Sequence, residues 1–144
     1  MTVFPDTMDP RIREFIESTN GGELAMKMGI ELLELSAEYS VATMPVHGNR
    51  QPIMLLHGGA HVVLGETLGS YSAAAHAGPG RTALGIEISA THTRSVKDGF
   101  VTATCTAISL GRTLATHEIV VRDEAGERLS TIRMTNLLRE IPNF

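Results

Sequence analysis

Residues 51–80 read QPIMLLHGGAHVVLGETLGSYSAAAHAGPG, and this stretch decides the fold of the chain. It predicts a loop, a glycine pair and a long helix from about residue 58 to residue 77, which the following Gly-Pro-Gly run ends. Its one formally charged side chain is Glu66. Small or apolar residues occupy both sides of the helix, so we expect it to be buried on nearly all sides. One side carries Ala60, Val63, Leu64, Thr67, Leu68 and Tyr71, and the other carries Val62, Ser70 and Ala73 around Glu66.

Glu66 is a candidate functional residue because it lies on a helix that is otherwise small or apolar. A buried carboxylate is costly unless it has partners, and carboxylates in unusual environments cluster at functional sites. The competing interpretation is a solvated side chain that occupies a gap in the apolar surface.

The segment before the long helix predicts an N-terminal helical segment over residues 1–22 and then strands. Asp9 followed by Pro10 is typical of a helix start, and the glycines at its end stop that helix. A further helical turn is expected at residues 23–27. Residues 28–45 are strand-like, with a break near residue 36.

The segment after the long helix predicts antiparallel strands. Their expected ranges are 84–91, 101–107, 116–122 and 128–138, with a hairpin turn at 97–99 and another turn at 123–126. Strict alternation would place Leu84, Ile86, Ile88 and Ala90 on one face of the first of these strands. An antiparallel sheet that accompanies an apolar helix must wrap or cover that helix. The sequence therefore predicts one α+β domain over residues 1–144.

Composition excludes several classes of protein. The net charge is -4, and no block of Lys or Arg is present, which argues against nucleic-acid binding. The single cysteine, Cys105, rules out an internal disulfide and fits a reducing compartment. No basic start followed by an apolar core and no apolar run of membrane length is found. We therefore expect a soluble, cytoplasmic protein without a membrane partner.

The central motif combines Gln51, the run His57-Gly58-Gly59, Glu66 and Ser70. With THTRSV at residues 91–96 and SLGRTLATHEIVVRDEAG at residues 109–126, it resembles the hotdog-fold acyl-CoA thioesterases of the phenylacetate-degradation (PaaI-like) branch. The resemblance covers roughly residues 24–139. It implies a curved antiparallel β-sheet wrapped around a long central helix. It also implies a homodimer whose two sheets join, often paired again into a homotetramer.

The glycine pair and Glu66 would carry the chemistry. The first N–H groups of a helix are unsatisfied and lie at the positive end of its dipole, so Gly58 and Gly59 could polarise a thioester carbonyl. The alternative is that these glycines only shape the turn. Glu66 would attack the carbonyl or activate a water. The resemblance implies that Glu66 of one chain faces Gln51, His57 and Gly58 of the partner.

The remaining candidates each have a structural alternative. Gln51 could orient the water or the carboxylate, or be a surface loop residue. His57 could bond near the thioester or brace the loop, and Ser70 could support Glu66 or only pack. His92 and Arg94 lie two apart and are predicted to share one face of a strand. The resemblance places them near the CoA portion, where Arg94 suits a phosphate, and an exposed strand charge is the alternative.

Two other patterns are discounted. His57 and His61 are four apart with Glu66 beyond them, but this is not the H-E-x-x-H pattern, so no metal is expected. Cys105 lies in a strand alternation and is predicted to be a buried, unreactive residue.

The sequence thus predicts a thioesterase that acts on acyl-CoA, aroyl-CoA or acyl-carrier-protein thioesters without a cofactor. The alternatives are a hotdog hydratase or dehydratase of enoyl or hydroxyacyl thioesters, and a non-catalytic acyl-CoA-binding module.

Overall fold

A computed structural model describes residues 1–141 of the chain. Its helices are α1 (Pro10–Thr19), α2 (Gly22–Met28) and α3 (Gly58–Ala77), and its strands are β1 (Glu31–Leu35), β2 (Tyr39–Pro45), β3 (Arg81–His92), β4 (Phe100–Leu110), β5 (Leu114–Arg122) and β6 (Arg128–Glu140). The strands form one antiparallel sheet in the order β1-β2-β4-β5-β6-β3. In the described residues, β1 and β3 are therefore the edge strands.

The predicted start and end of α1 and the predicted extent of α3 are confirmed. Asp9 is the N-cap of α1 and its side chain accepts a hydrogen bond from the Arg11 N–H at 2.8 Å. Asn20, in the left-handed conformation, ends α1, and the expected further turn is α2. The long helix spans Gly58–Ala77, as its sequence predicts.

The curved sheet holds α3 against its inner face. Alternate residues of β2, β4 and β6 point inward and are buried. Gly65 and Gly69 let α3 approach β6 closely, because a Cβ on Gly65 would lie 2.7 Å from Ile132 Cδ1 and one on Gly69 would lie 3.0 Å from Met134 Sδ. Leu64 and Leu68 are completely buried between helix and sheet. Each such side chain contributes roughly 1.5–3 kcal/mol by leaving water.

Burial along α3 differs in two respects from the sequence-based expectation. The helix is indeed covered over most of its length, but Gly59 and Glu66 are exposed. Ala73, expected on the same side as Glu66, is completely buried and packs with Ala77, Ala115 and Leu138. The helix is therefore covered by the sheet around most of its circumference, and the uncovered part is concentrated at Glu66.

A β-bulge corrects the predicted face of β3. Pairing with β6 is interrupted between Gly85 and Glu87, which leaves Ile86 as an extra residue. One extra residue reverses which side chains point inward beyond it. Leu84 and Ile86 are consequently exposed, whereas Ile88 and Ala90 pack against the core.

The predicted hairpin at residues 97–99 is also wrong. Gly99 has the left-handed φ of a turn residue (79°), but β3 pairs with β6 and β4 pairs with β2 and β5. The loop at residues 93–99 therefore crosses from the edge strand β3 to the interior strand β4. Turn residues indicate where the chain changes direction, but they do not indicate which strands pair.

Candidate active site

The start of α3 is organised by His57, which is its N-cap. His57 Nδ1 accepts a hydrogen bond from the Gly59 N–H at 2.8 Å, and the His57 carbonyl accepts one from Ala60 N–H at 2.9 Å. This Nδ1 contact corresponds to the bracing role considered for His57, and a role of the imidazole near the thioester stays a prediction. Because Gly59 and Ala60 donate to His57, Gly58 has the free N–H of the first turn within residues 1–141.

A cavity of about 370 Å³ opens beside Gly58. Four predicted site residues line it, namely Gln51, Gly58, His92 and Arg94; the others are Leu55, Leu56, His61, Thr93 and Ser95. The loop that carries Gln51 is held by its own backbone, because Gln51 N–H donates to the Leu55 carbonyl at 2.8 Å and Met54 N–H donates to the Gln51 carbonyl at 2.8 Å. The structure therefore brings the loop, the helix start and the end of β3 together.

His92 lines this cavity as an exposed residue and lies against Ser130, His61 and Gly58. Its Nδ1 lies 2.9 Å from the Ser130 hydroxyl oxygen. Its ring stacks on that of His61, with centroids 5.1 Å apart and planes at 27°. Its Nε2 and Cδ2 each lie 3.0 Å from the position that a Cβ on Gly58 would occupy. Glycine at position 58 thus leaves the space that the ring fills.

Sequence reasoning missed two of these partners, Ser130 and His61. Ser130 is fully buried and stands opposite His92 in the β3–β6 pairing, which no sequence pattern displays. His61 is only 3% exposed, and its Nδ1 has no hydrogen-bond partner in the described part of the chain. Burial, together with the neighbouring His92, lowers the pKa of His61 to about 4. His61 is therefore neutral near pH 7.

Arg94 lies near the cavity but outside the strand on which it was predicted. β3 ends at His92, so the two residues do not share a strand face. The Arg94 guanidinium is 58% exposed and its Nη2 lies 3.8 Å from Glu127 Oε2. An exposed pair at this distance holds the side chain weakly, which leaves the guanidinium free to meet an anion.

Glu66 stands apart from this cavity. It lies eight residues beyond Gly58 on α3, which corresponds to about 12 Å along the helix axis. A second depression, of about 220 Å³, is lined by Glu66, Gly85, Ile86, Glu87, Ile88 and Met134. The expectation of a buried carboxylate is therefore wrong for the single chain, because the sheet ends at β3 and leaves Glu66 uncovered at that edge.

Space for the Glu66 carboxylate is provided by Gly85. A Cβ at that position would lie 3.2 Å from Glu66 Oε1 and 2.7 Å from Met134 Cε. Ser70, one turn after Glu66, is half-buried. Within one chain the predicted residues thus form two groups, one around Gly58 and one around Glu66.

Cys105 is a core residue, as predicted. It is completely buried, and burial raises the pKa of its thiol to about 12. A thiol with such a pKa is protonated at neutral pH and is a poor nucleophile.

No helix within residues 1–141 combines the length and the apolar character needed to cross a membrane.

The fold and the motif together define a thioesterase. The sequence model of the family described as "Thioesterase superfamily" matches residues 55–130, which include α3 and the strands β3, β4 and β5. The chain belongs to this superfamily, and its curved antiparallel sheet around a central helix is the hotdog fold.

Particular relatives agree with this assignment. The chain is 42% identical to the proofreading thioesterase EntH of Cronobacter turicensis over 85% of this chain and 90% of that protein. It is 37% identical to a putative esterase of Deinococcus radiodurans over 94% of this chain and 95% of that protein. The crystal structure of a Haemophilus influenzae thioesterase superposes with a TM-score of 0.83 at 32% identity, with 92% of each chain covered. A mutant thioesterase of Pseudomonas aeruginosa gives a TM-score of 0.84 at 31% identity, with 94% of this chain and 98% of that chain covered.

Proposed function

We propose that this chain hydrolyses acyl-CoA or aroyl-CoA thioesters, or the corresponding carrier-protein thioesters, at a site shared by two chains. Glu66 of one chain and the cavity around Gly58 of the other form each site. The observation that carries the proposal is the separation of these two groups within a single chain, about 12 Å along one helix. A carboxylate at that distance does not reach a carbonyl bound at Gly58 of its own chain.

The exposed edge of the sheet supports the pairing of two chains. β3 is 12 residues long, and Leu84 and Ile86 expose 45% and 57% of their surface beside its unpaired backbone. A long, apolar edge strand is a site for pairing with another strand. Antiparallel pairing of β3 with β3 of a second copy would join the sheets and bring a partner to the Glu66 depression. Further pairing into a homotetramer stays a prediction.

The chemistry follows from the charges that develop. The Gly58 N–H, at the positive end of α3, polarises the thioester carbonyl and stabilises the oxyanion. Glu66 attacks the carbonyl carbon to give a mixed anhydride, or it takes a proton from the attacking water. On the first route the C–S bond breaks as the anhydride forms, and water then hydrolyses the anhydride to release the acid and regenerate Glu66. On the second route water adds directly, so both routes yield a carboxylic acid and a free thiol. No metal or organic cofactor takes part.

The other site residues position the two reactants. Gln51 lies in the cavity with Gly58, where its amide can orient the water or the carboxylate. Ser70 supports Glu66 from the next turn of α3. His92, Arg94 and Gly59 contact the CoA portion at the cavity mouth, where the guanidinium suits a phosphate.

Replacement of Glu66 tests the proposal. We expect Glu66→Gln to lower thiol release from a panel of acyl-CoA and aroyl-CoA esters by at least a hundredfold, because the amide is neither nucleophile nor base. Glu118→Gln, an exposed change on β5, is the matched control and should keep wild-type turnover. Nearly full turnover by Glu66→Gln would show that the proposal is wrong.

The same assay separates the alternative activities. A hydratase or dehydratase would change the absorbance of an enoyl ester without releasing thiol. A binding module would hold the esters without converting them.

A further inference from the structure

We propose that His92 is a catalytic residue, with its Nε2–H as the second hydrogen-bond donor to the oxyanion, and that Ser130 is the positioning residue that sets its orientation. This inference rests on the proposed function, because it assigns a role within that thioester hydrolysis. It goes beyond contact with the CoA portion, since it places His92 at the reacting atoms.

The location of the His92 ring supports the first half of the proposal. The ring lines the same cavity as Gly58, and its Nε2 lies 3.0 Å from the Cβ position of that glycine. Gly58 also has the free N–H of the first turn of α3 within residues 1–141. A carbonyl oxygen that accepts from this N–H is therefore within reach of the imidazole nitrogen beside it.

We take the Ser130 hydroxyl as the donor in its contact with His92, which fixes the nitrogen that carries the proton. The Ser130 hydroxyl lies 2.9 Å from His92 Nδ1, and the serine, which pairs with His92 from β6, is completely buried. When this hydroxyl donates to Nδ1, a neutral imidazole must carry its proton on Nε2. The nitrogen that faces Gly58 is then a donor, as an oxyanion requires.

His61 supports the ring from the other side. The two rings are stacked with centroids 5.1 Å apart, and His61 is almost completely buried. Because the lowered pKa keeps His61 neutral, it adds no charge next to His92 at neutral pH. The contacts with Ser130 and His61 hold the ring beside Gly58, as a preorganised donor requires, while the residue is otherwise exposed.

The step itself moves no proton to or from His92. Oxygen from Glu66, or from a water that gives its proton to Glu66, bonds to the thioester carbon, and the carbonyl oxygen takes the electron pair of its π bond. The Gly58 N–H and the His92 Nε2–H both donate to this oxygen. The pair then re-forms the carbonyl, the C–S bond breaks, and the thiolate leaves with the electrons of that bond.

Steady-state kinetics on the ester that wild type hydrolyses fastest test the proposal. Loss of one oxyanion donor typically lowers kcat about a hundredfold or more, so we expect this loss for His92→Ala with KM little changed. Ser130→Ala should lower kcat about tenfold, because the ring and its proton remain but lose their orientation. His92→Asn, which retains a donor on a shorter side chain, should recover part of the loss.

A matched control separates positioning from stability. Ser40 is also completely buried, and its hydroxyl lies 2.6 Å from that of Ser72, away from the cavity. Ser40→Ala should lose comparable stability in urea unfolding and keep the wild-type kcat. If Ser130→Ala behaves in the same way, Ser130 is only structural and that half of the proposal is wrong.

The outcomes distinguish this inference from the proposed function. If His92→Ala raises KM and leaves kcat unchanged, His92 only binds substrate, and the inference fails while Glu66-dependent hydrolysis stands. If wild type releases no thiol from any ester, or if Glu66→Gln is fully active, the proposed function fails first.

Discussion

At the scale of single residues, His61 shows how a side chain beside a cavity affects the whole fold. It is only 3% exposed, its Nδ1 has no partner within residues 1–141, and its ring lies against that of His92. Burial lowers its pKa from 6.5 to about 4. The proton therefore binds more tightly to the unfolded chain than to the folded chain, and acid favours unfolding.

This shift predicts a pH-dependent stability. The contribution of His61 is fully present above pH 6.5 and is lost as the pH falls from 6.5 through about 4. His61→Phe keeps an aromatic ring but does not titrate. Between pH 7 and pH 4.5 we expect the variant to lose less free energy of unfolding than wild type, by about 2 kcal/mol.

Urea unfolding at several pH values measures this difference. His117 is also buried and its pKa is also lowered, so both proteins will lose stability in acid. The comparison of variant with wild type removes that shared contribution. Parallel curves for the two proteins would mean that His61 titrates normally in the folded state.

The sequence indicates candidate site residues but not the contacts that these residues make. Gln51, Gly58 and Glu66 stand out because an amide, a glycine pair and a carboxylate interrupt an otherwise apolar loop and helix. Ser130 could not be predicted, because its contact with His92 depends on the pairing of β3 with β6, strands that are far apart in the chain. Residue types and spacing do not contain that register.

At the scale of elements, the start of α3 depends on one unusual cap. Ser, Thr, Asp and Asn are the common N-cap residues, but here His57 Nδ1 accepts the Gly59 N–H. The cap holds the first turn, and the first turn contributes Gly58 to the lining of the cavity. The pattern of a glycine pair before an apolar run predicts the helix start but not the residue that caps it.

Removal of this cap should destabilise the protein. We expect His57→Ala to lower the free energy of unfolding by about 1 kcal/mol, because one N–H loses its acceptor. His57→Ser offers an oxygen at the same position and should restore most of that loss. Urea unfolding of the three proteins measures both effects.

Activity of the same variants separates capping from catalysis. If His57 acts only as a cap, His57→Ser recovers turnover together with stability. Recovery of stability without turnover would contradict this and would place the imidazole in the chemistry.

Strand β3 shows where prediction of elements fails. Its position was predicted, but the bulge at Ile86 exchanges the faces of the strand midway. A bulge has no reliable signature in residue type, so Leu84 was wrongly assigned to the same face as Ile88. The exposed apolar edge that results is the part of the sheet on which the proposed dimer depends.

For the molecule as a whole, the main feature is that one chain keeps two groups of candidate residues apart. The cavity around Gly58 lies at the start of α3, and Glu66 lies at the free edge of the sheet. The hotdog fold itself could be predicted from the motif and its context. The exposure of Glu66 could not be predicted, because the apolar surface of a helix does not indicate whether the sheet of its own chain or a second chain covers that surface.

A site shared by two chains predicts complementation between inactive variants. Glu66→Ala removes the carboxylate half, and Gly58→Val blocks the cavity half, because its side chain would meet the His92 ring at about 3.0 Å. When equal amounts of the two are unfolded and refolded together, half of the dimers contain both variants. Each mixed dimer has one site with both halves intact, so we expect about a quarter of the wild-type thiol release.

If both halves came from one chain, every site would carry one defect and the mixture would stay inactive. Wild type refolded with the double variant is the control, and its activity should fall from a half to about a quarter, since mixed dimers then have no intact site.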